Sequence, residues 1–212
     1  MKRTFDIAAA LAGLLILSPL LLLAALAVRV FDGAPIFFVQ ERIGREGRPF
    51  RMFKFRTMRV NNSGPQITVG ADSRITRTGR FLRKTKFDEL PQLLNVLLGD
   101  MSFVGPRPEV AKYVNLYSPA DRAILKLTPG ITDPASLIYS GESEILGRQA
   151  DPEKYYVDVV MPHKIAINRA YANHANLMTD IRMILFTLLH GLGFRLAYLS
   201  KLSEENDPGT SH

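Results

Sequence analysis

The sequence of 212 residues is long enough for one domain of ordinary size, or one domain with an appendage, and excludes a large multidomain machine. Because 47% of the residues are hydrophobic and none is cysteine, it also excludes intrinsic disorder, disulfide frameworks, cysteine-ligated zinc, iron–sulfur clusters and thiol catalysis. The net charge of +7 predicts an anionic partner: a nucleic acid, an acidic lipid or a phosphorylated small molecule.

The first predicted element is an uncharged apolar segment that runs from Ile7 to Val28. As a helix it would be about 33 Å long, close to the thickness of the hydrocarbon core of a bilayer. Three interpretations compete: a spanning helix, a cleaved signal peptide, and a segment that enters the membrane and turns back. The basic residues Lys2 and Arg3 and the small-residue site over 25–27 resemble the parts of a signal peptide.

Ser18 and Pro19 lie in the middle of this segment and predict a kink, because proline removes a helical hydrogen bond and clashes with the preceding turn. Each half would be about 15 Å long, which is enough for one leaflet only. Positive residues flank both ends, Lys2 and Arg3 before the segment and Arg29 after it, which suits a hairpin with both ends on the cytoplasmic side. Kinked spanning helices are also common, so the residues alone leave both topologies open.

Two short segments rich in aromatic residues follow over 35–40 and 50–56, separated by Gly44 and Gly47, and they predict a β-hairpin. The later segments are, in chain order, a polar loop over 61–70, helices over 78–86 and 89–98, a stiff proline-containing loop over 104–108, helices over 109–127 and 151–176, and an apolar segment over 181–199. Charged and glycine residues interrupt the last segment, which predicts a helix at a membrane interface rather than a second span.

The densest positive charge lies directly before a pair of acids. Six cations occur there without an intervening acid: Arg74, Arg77, Arg80, Arg83, Lys84 and Lys86. The first four recur at every third residue, a spacing that presents one cationic face of a helix. A solvated helix face, or a stripe that contacts acidic lipid, has the same pattern.

The basic row ends at the adjacent carboxylates Asp88 and Glu89, which indicate a site for a metal ion and a phosphate. One carboxylate could hold Mg²⁺ while the other acts as nucleophile or base. Asp88 is equally well placed to cap the following helix, and the two roles are compatible. Lys54, Arg56 and Arg107 are further candidate phosphate donors, although each has the ordinary alternative of a surface charge.

Six motifs occur in order along the chain: KRTFDI over 2–7, LSP over 17–19, KFRTM over 54–58, RKTKFDELPQLLN over 83–95, GDMSFVGPRP over 99–108 and PGIT over 129–132. Together they resemble the monotopic phosphoglycosyl transferases, the bacterial polyprenyl-phosphate sugar-phosphate transferase family. The resemblance covers about residues 2 to 190 and is most specific over 83–108. The chain looks like a small, minimal form, because larger members carry extra N-terminal membrane helices.

The resemblance implies a reaction and assigns roles to residues. Asp88 would attack the phosphorus attached to the sugar of a nucleotide diphosphate sugar, usually a UDP-sugar, releasing UMP and forming an aspartyl-phosphosugar intermediate. A polyprenyl phosphate such as undecaprenyl phosphate would then attack this intermediate, giving polyprenyl diphosphate sugar in the first membrane step of glycoconjugate assembly. Glu89 would bind Mg²⁺. The phosphate charge would be neutralised by Lys54, Arg56, Arg83 and Arg107.

The implied fold is α+β and mainly helical, with a short β-hairpin and interfacial amphipathic helices around an active site at the cytoplasmic face of the bacterial inner membrane. A re-entrant helix-break-helix, broken at Ser18 and Pro19, would occupy residues 1–30, a catalytic domain 31–200 and a flexible tail 201–212. A signal peptide is then disfavoured, because its cleavage would delete family sequence. The implied partners are the two substrates and the membrane, not nucleic acid, and a homo-oligomer is allowed.

One segment departs from the family pattern. Many members follow the PGIT turn with Gly-Leu-Ala-Gln and soon an Asn-Gly-Arg, whereas this chain has DPAS over 133–136 and YSGE over 139–142. The sugar therefore does not follow from the resemblance.

A second hypothesis of another class is a non-catalytic, membrane-anchored basic module that binds nucleic acid or acidic lipid through residues 74–86. Such a module has no use for the neighbouring carboxylates.

Overall fold

The computed structural model describes residues 1–60, 69 and 72–191. Most of the polar loop predicted over 61–70, the end of the apolar segment over 181–199 and the tail over 201–212 lie outside the described residues. The described part is mainly helical, with small β-sheets, as the sequence predicts.

The N-terminal apolar segment forms one helix, α1 (Lys2–Ala27), which continues into a π-helical turn (Val28–Asp32). The secondary structure therefore does not confirm the predicted division into two helices at Ser18 and Pro19. Pro19 has no N–H to donate to the carbonyl of Leu15, four residues earlier, but the hydroxyl of Ser18 donates to that carbonyl at 2.8 Å. The serine thus replaces the hydrogen bond that the proline removes, and the helix continues.

The predicted β-hairpin is confirmed, with β1 (Phe37–Ile43) antiparallel to β2 (Pro49–Phe55). Phe37 lies opposite Phe55, and their rings stack with centroids 5.3 Å apart. The hairpin sets Lys54, the penultimate residue of β2, on a strand next to α1 and the carboxylate pair.

The predicted helices on either side of the carboxylates are confirmed as α2 (Arg77–Thr85) and α3 (Gln92–Leu98), with a 3₁₀ turn (Phe87–Glu89) between them. The side chain of Thr76 caps α2 by accepting a hydrogen bond from the backbone N–H of Gly79 at 2.8 Å. The second helix begins later than predicted.

The strands β3 (Ser102–Val104) and β4 (Gly130–Thr132) pair in parallel, and neither was predicted. The helical region predicted over 109–127 contains only α4 (Ala111–Val114) and a 3₁₀ segment (Asp121–Lys126). The later elements are α5 (Pro134–Ile138), α6 (Glu142–Gly147), α7 (Pro152–Tyr155) with a π-helical turn (Tyr156–Val160), α8 (Met161–His174) and α9 (Leu177–Gly191). The helix predicted over 151–176 is confirmed, since α7, the π-helical turn and α8 follow one another without a break.

Two apolar clusters hold α1 against the other elements. Toward its N-terminal half, Ala10 packs with Met52 of β2 and with Leu93 and Val96 of α3. Toward its C-terminal end, Ala24 and Val28 pack with Phe55 of β2 and Leu82 of α2. The turn that carries the carboxylate pair is therefore enclosed by α1, β2, α2 and α3.

Candidate active site

Asp88 lies in the 3₁₀ turn between α2 and α3, where Lys86 reverses the chain in a left-handed conformation with φ of 60°. Only 7% of Asp88 is exposed. Its Oδ1 atom is buried and has no hydrogen-bond partner among the described residues. The prediction that Asp88 caps the next helix is wrong, because α3 begins after Pro91 without a side-chain cap.

Glu89, by contrast, is held by two cations from distant parts of the chain. Lys54 Nζ of β2 donates to Glu89 Oε1 at 2.9 Å. Arg107, in the loop after β3, donates to the same oxygen through Nη2 and approaches Oε2 through Nη1 at 3.4 Å. The structure thus brings together Glu89, Lys54 and Arg107 beside Asp88, as the sequence predicts.

The pKa values of the two adjacent carboxylates are shifted in opposite directions. Burial raises the pKa of Asp88, and the negative charge of Glu89 raises it further. Burial would also raise the pKa of Glu89, but the attraction of Arg107 and Lys54 outweighs burial and holds this pKa well below its usual range. Glu89 is therefore the stably charged member of the pair, and Asp88 is the carboxylate whose charge is costly to keep.

The free energy of a buried carboxylate oxygen without a hydrogen-bond partner falls when a covalent bond removes its charge. This property fits Asp88 to attack an electrophilic phosphorus. Neighbouring Lys54, Arg83 and Lys86 attract its negative charge, so the ionised form required for attack is still supported.

Arg83 lies on the side of the site formed by α2. Its Nε donates to Thr57 Oγ1 at 2.9 Å. Burial lowers its pKa, and the attraction of Asp88 opposes this effect. Arg83 therefore belongs to the electrostatic surroundings of Asp88.

Arg56, one of the predicted phosphate ligands, contacts the backbone of the segment that follows α1. Its guanidinium is 6% exposed and donates to the backbone carbonyls of Asp32, Gly33 and Ala34, where the chain leaves the π-helical turn. The predicted strand over 50–56 included both Lys54 and Arg56, but β2 ends at Phe55. Both terminal nitrogens of Arg56 serve the backbone, and its buried Nε has no hydrogen-bond partner among the described residues.

The basic row does not form one face. Arg74 precedes α2 and donates to Asp72, with Nε to Oδ1 at 2.9 Å. Arg77 and Arg80 are exposed, whereas Arg83 is half-buried toward the site. The row predicted from the spacing is thus divided between a turn, the solvent and the active site.

The carboxylate pair fits a magnesium ion only as a site shared with substrate. The described residues contain no cluster of three or more histidine, cysteine or acidic side chains. Mg²⁺ commonly binds one or two carboxylates together with water and substrate phosphates, so Asp88 with its orphaned oxygen and Glu89 meet this requirement. Glu89 would have to exchange Lys54 or Arg107 for the metal.

Sequence reasoning missed Asn95, which is fully buried and connects α3 to β2. Its side-chain amide donates to the carbonyl of Arg51 at 2.7 Å, and its side-chain oxygen accepts from the N–H of Phe53 at 3.0 Å. These bonds hold the strand that carries Lys54. An asparagine among leucines in the middle of a helix was the available signal, since buried amides need partners.

The chain matches known proteins over most of its length. A family model described as bacterial sugar transferase matches residues 1–193. The chain is 38% identical over 192 residues to the UDP-glucose:undecaprenyl-phosphate glucose-1-phosphate transferase of Caulobacter vibrioides, covering 88% of this chain and 68% of that protein. It is 36% identical over 188 residues to the uncharacterized sugar transferase EpsL of Bacillus subtilis, covering 89% and 85%. It is 37% identical over 166 residues to the UDP-N-acetylgalactosamine-undecaprenyl-phosphate N-acetylgalactosaminephosphotransferase of Aeromonas hydrophila, covering 74% and 38%.

Proposed function

The chain belongs to the bacterial sugar transferase family and is a phosphoglycosyl transferase, and we propose that it moves a sugar phosphate from a UDP-sugar to undecaprenyl phosphate through a covalent intermediate on Asp88. The observation that supports this intermediate is the buried, unpartnered Oδ1 of Asp88 beside the ion-paired Glu89. The alternative of a non-catalytic basic module has no support from the relatives.

The reaction consists of two displacements at one phosphorus. In the first, Asp88 Oδ1 forms a bond to the phosphorus attached to the sugar, and the bond from that phosphorus to the bridging oxygen breaks, so that UMP leaves with the electron pair. In the second, an oxygen of the lipid phosphate attacks the same phosphorus and the carboxylate of Asp88 departs unchanged. One site thus serves a soluble donor and a membrane-bound acceptor in turn.

The cations of the site suit the charge that this chemistry brings. A diphosphate donor adds negative charge close to Glu89, and whichever of Lys54 and Arg107 leaves this carboxylate for the metal can then contact phosphate oxygens. Arg83 approaches from the Asp88 side. We propose Glu89 as the Mg²⁺ ligand, and Mg²⁺ when bound would neutralise the diphosphate oxygens and stabilise the departing UMP.

Contacts at both ends of α1 support a monotopic arrangement. At the first end, Lys2 Nζ pairs with Asp180 of α9 and donates to the carbonyl of Val104 at 3.1 Å. At the other end, the carboxylate of Asp32 accepts a hydrogen bond from the Thr76 hydroxyl at 2.8 Å. Within the part of the chain that the structure describes, this is the helix long and apolar enough to cross a membrane, yet both its ends contact elements that follow it in the chain. We therefore propose that both ends lie at the cytoplasmic face, so that this segment enters and leaves the membrane at that face.

The sugar needs a direct assay. Two of the relatives are named as transferases of different sugars, glucose and N-acetylgalactosamine. The segment of this chain that departs from the family pattern begins with Asp133, which stabilises the fold. Asp133 is fully buried, caps α5 by accepting from the N–H of Ser136 at 3.0 Å, and accepts from Asn168 at 2.9 Å. Its charge also supports that of Arg107.

The decisive experiment omits the acceptor. Purified protein in detergent is incubated with a panel of UDP-sugars, and we expect a burst of UMP and, by mass spectrometry, a sugar-phosphate adduct on the peptide that contains Asp88. Undecaprenyl phosphate should then remove the adduct. D88N should show neither burst nor adduct, whereas D158N, which alters an exposed carboxylate of the π-helical turn before α8, should behave as wild type. A burst from D88N equal to that of wild type would contradict the mechanism.

A further inference from the structure

Arg107 and Asp133 follow two strands that pair in parallel. Val104 of β3 lies opposite Thr132 of β4, so both strands end at the same edge of this small sheet. Asp133 directly follows β4, and Arg107 is the third residue after β3. The parallel pairing therefore places both residues at one edge, although they are distant in sequence.

Backbone hydrogen bonds join the loop of Arg107 to β4. The N–H of Gly105 donates to the carbonyl of Thr132 at 3.1 Å, and the N–H of Gly130 donates to the carbonyl of Pro106 at 3.0 Å. The two backbones also touch, because a Cβ atom at Gly130 would lie 2.2 Å from the backbone nitrogen of Gly105. Since Pro106 directly precedes Arg107, the position of this arginine depends on β4 and on the segment that follows it.

The carboxylate of Asp133 is fully buried, and every donor that bonds to it is neutral. It accepts hydrogen bonds from the N–H and the hydroxyl of Ser136, and from the side-chain amide of Asn168 in α8 at 2.9 Å. Within the part of the chain that the structure describes, Asp133 takes part in no ion pair. A buried charge of this kind is costly unless a nearby opposite charge compensates it.

Arg107 is the cation that compensates this charge. Asn168, which bonds to Asp133, lines the same small pocket as Arg107. Glu89 is the main cause of the raised pKa of Arg107, and the negative charge of Asp133 raises this pKa further. The two charges thus attract each other at the edge of the sheet, without a hydrogen bond between them.

The other two acids near Arg107 have additional partners. Glu89 is shared with Lys54, and Glu109 accepts a hydrogen bond from the hydroxyl of Tyr156. In the proposed reaction Glu89 must also release Lys54 or Arg107. Asp133 has no such second duty, because its hydrogen bonds belong to α5 and α8 and do not change with the substrate.

We propose that Asp133 is a positioning residue, whose buried charge holds the guanidinium of Arg107 at the phosphate site when Glu89 releases it. The inference rests on the proposed function, since only that reaction brings a phosphate to Arg107. Because Asp133 attracts Arg107 without a hydrogen bond, it leaves the guanidinium donors to the phosphate oxygens. Many family members have glycine after the PGIT turn, and such a member positions its arginine without this carboxylate.

The first test separates the charge of Asp133 from its hydrogen bonds. D133N removes the charge and keeps an oxygen that can cap α5, whereas S136A keeps the charge and removes one hydrogen bond of the same carboxylate. We expect D133N to lower kcat/KM for the UDP-sugar about fivefold or more, measured as UMP release per folded molecule. S136A should lower the melting temperature and leave kcat/KM near that of wild type.

A double-mutant cycle with R107M distinguishes positioning from a contribution to the fold alone. If Asp133 acts through Arg107, D133N should have little further effect on kcat/KM once the guanidinium is absent. An equal loss from D133N in both backgrounds, or no loss in either, would overturn the proposal and leave Asp133 with its structural role.

D133S guards against misfolding of D133N, because serine is also a neutral residue that caps helices. It should reproduce both the loss in kcat/KM and the dependence on Arg107. Thermal unfolding in the same detergent identifies the folded variants. If S136A folds and neither neutral variant at 133 does, the charge serves the fold and the proposal is overturned.

Failure of the proposed function would look different. Wild type would then release no UMP from any UDP-sugar, whatever the residue at 133. The same four proteins of the cycle, compared by their free energies of unfolding, would still decide whether the charges of Asp133 and Arg107 attract each other.

Discussion

Asp88 and Glu89 are neighbours in sequence, but the fold treats their charges differently. Asp88 Oδ1 is buried without a partner, whereas both oxygens of Glu89 face cations. In the proposed mechanism Asp88 is thus the reactive carboxylate, whereas the ion pairs of Glu89 stabilise the fold. The division has measurable consequences for the free energy of unfolding.

We expect the two neutral variants to change stability in opposite directions at pH 7. D88N removes a charge whose pKa the fold raises, so the free energy of unfolding should stay equal or increase. E89Q leaves Lys54 and Arg107 without their carboxylate and should lower the free energy of unfolding by about 3 kcal/mol. Urea unfolding, monitored by tyrosine fluorescence or circular dichroism, measures the free energy of unfolding of both variants.

The pH dependence follows from the lowered pKa of Glu89. Its stabilising contribution is fully present above 4.5, the ordinary pKa of a glutamate in an unfolded chain, and is lost as pH falls from there through the lower pKa of the folded state. The difference between wild type and E89Q should therefore shrink progressively below about pH 4.5. Equal destabilisation by D88N and E89Q at pH 7 would contradict the assigned roles.

Two arginines of the family motifs should separate function from stability. R107K loses the forked contact with Glu89 and with phosphate, so kcat/KM for the UDP-sugar should fall about tenfold or more. R56K loses bonds to the backbone carbonyls of Asp32, Gly33 and Ala34, and should mainly lower the melting temperature. Initial rates per folded molecule, together with melting curves, distinguish the two effects. A large fall in kcat/KM for stable, folded R56K would restore it to the phosphate site.

At the scale of elements, the position of the site depends on the close contact of α2 with the end of β2. Gly79 of α2 lies against the backbone of Thr57, and a Cβ atom there would be 2.1 Å from the Thr57 carbonyl oxygen. Thr57 also accepts the hydrogen bond from Arg83. One glycine therefore permits the approach that brings Arg83 to the active site.

We expect G79A to destabilise the protein although alanine is the better helix former. The gain in helix propensity is about 1 kcal/mol, whereas the added atom would overlap backbone that cannot rotate away. G141A is the matched control, because a Cβ at Gly141 would meet nothing within 4 Å. A lower melting temperature and lower activity for G79A, with little change for G141A, are the expected results. A stabilised, active G79A would show that α2 is not tied to Thr57.

Local patterns predicted the elements whose partners are near in sequence. The aromatic alternation around two glycines was sufficient for β1 and β2, and the leucine-rich segment that ends before Gly99 was sufficient for α3, apart from the residue at which it begins. The pair of β3 and β4 was missed because each has only three residues and its partner is distant along the chain. The secondary structure does not confirm the predicted break in α1, and the rule for proline does not include the hydroxyl of Ser18, which bonds to the carbonyl of Leu15.

At the scale of the whole molecule, α1 and its π-helical turn are long enough to span a bilayer, but residues at both ends contact elements that follow in the chain. Lys2 binds Asp180 of α9 and the carbonyl of Val104 in β3, and Asp32 binds Thr76 at the start of α2. A transmembrane helix would place these two ends on opposite sides of the membrane. The contacts therefore predict that the N-terminus and the hairpin face the same compartment.

The absence of cysteine makes this prediction simple to test. T4C and R48C introduce single thiols at exposed positions near the N-terminus and in the hairpin turn. A membrane-impermeant maleimide should label both in inverted membrane vesicles and neither in intact spheroplasts. Labelling from opposite sides would show that α1 spans the membrane.

The sequence by itself determined the chemistry that is available: an oxygen nucleophile, a second carboxylate beside it, nearby cations and one long apolar segment. Tertiary structure decided which groups act together. Glu89 acquires Lys54 from 35 residues away and Arg107 from 18 residues away, while Arg56 is turned to the backbone. The physical reason is that residue type and local spacing are properties of the chain, whereas burial, ion pairing and the resulting difference in pKa between Asp88 and Glu89 arise only when distant segments enclose one turn.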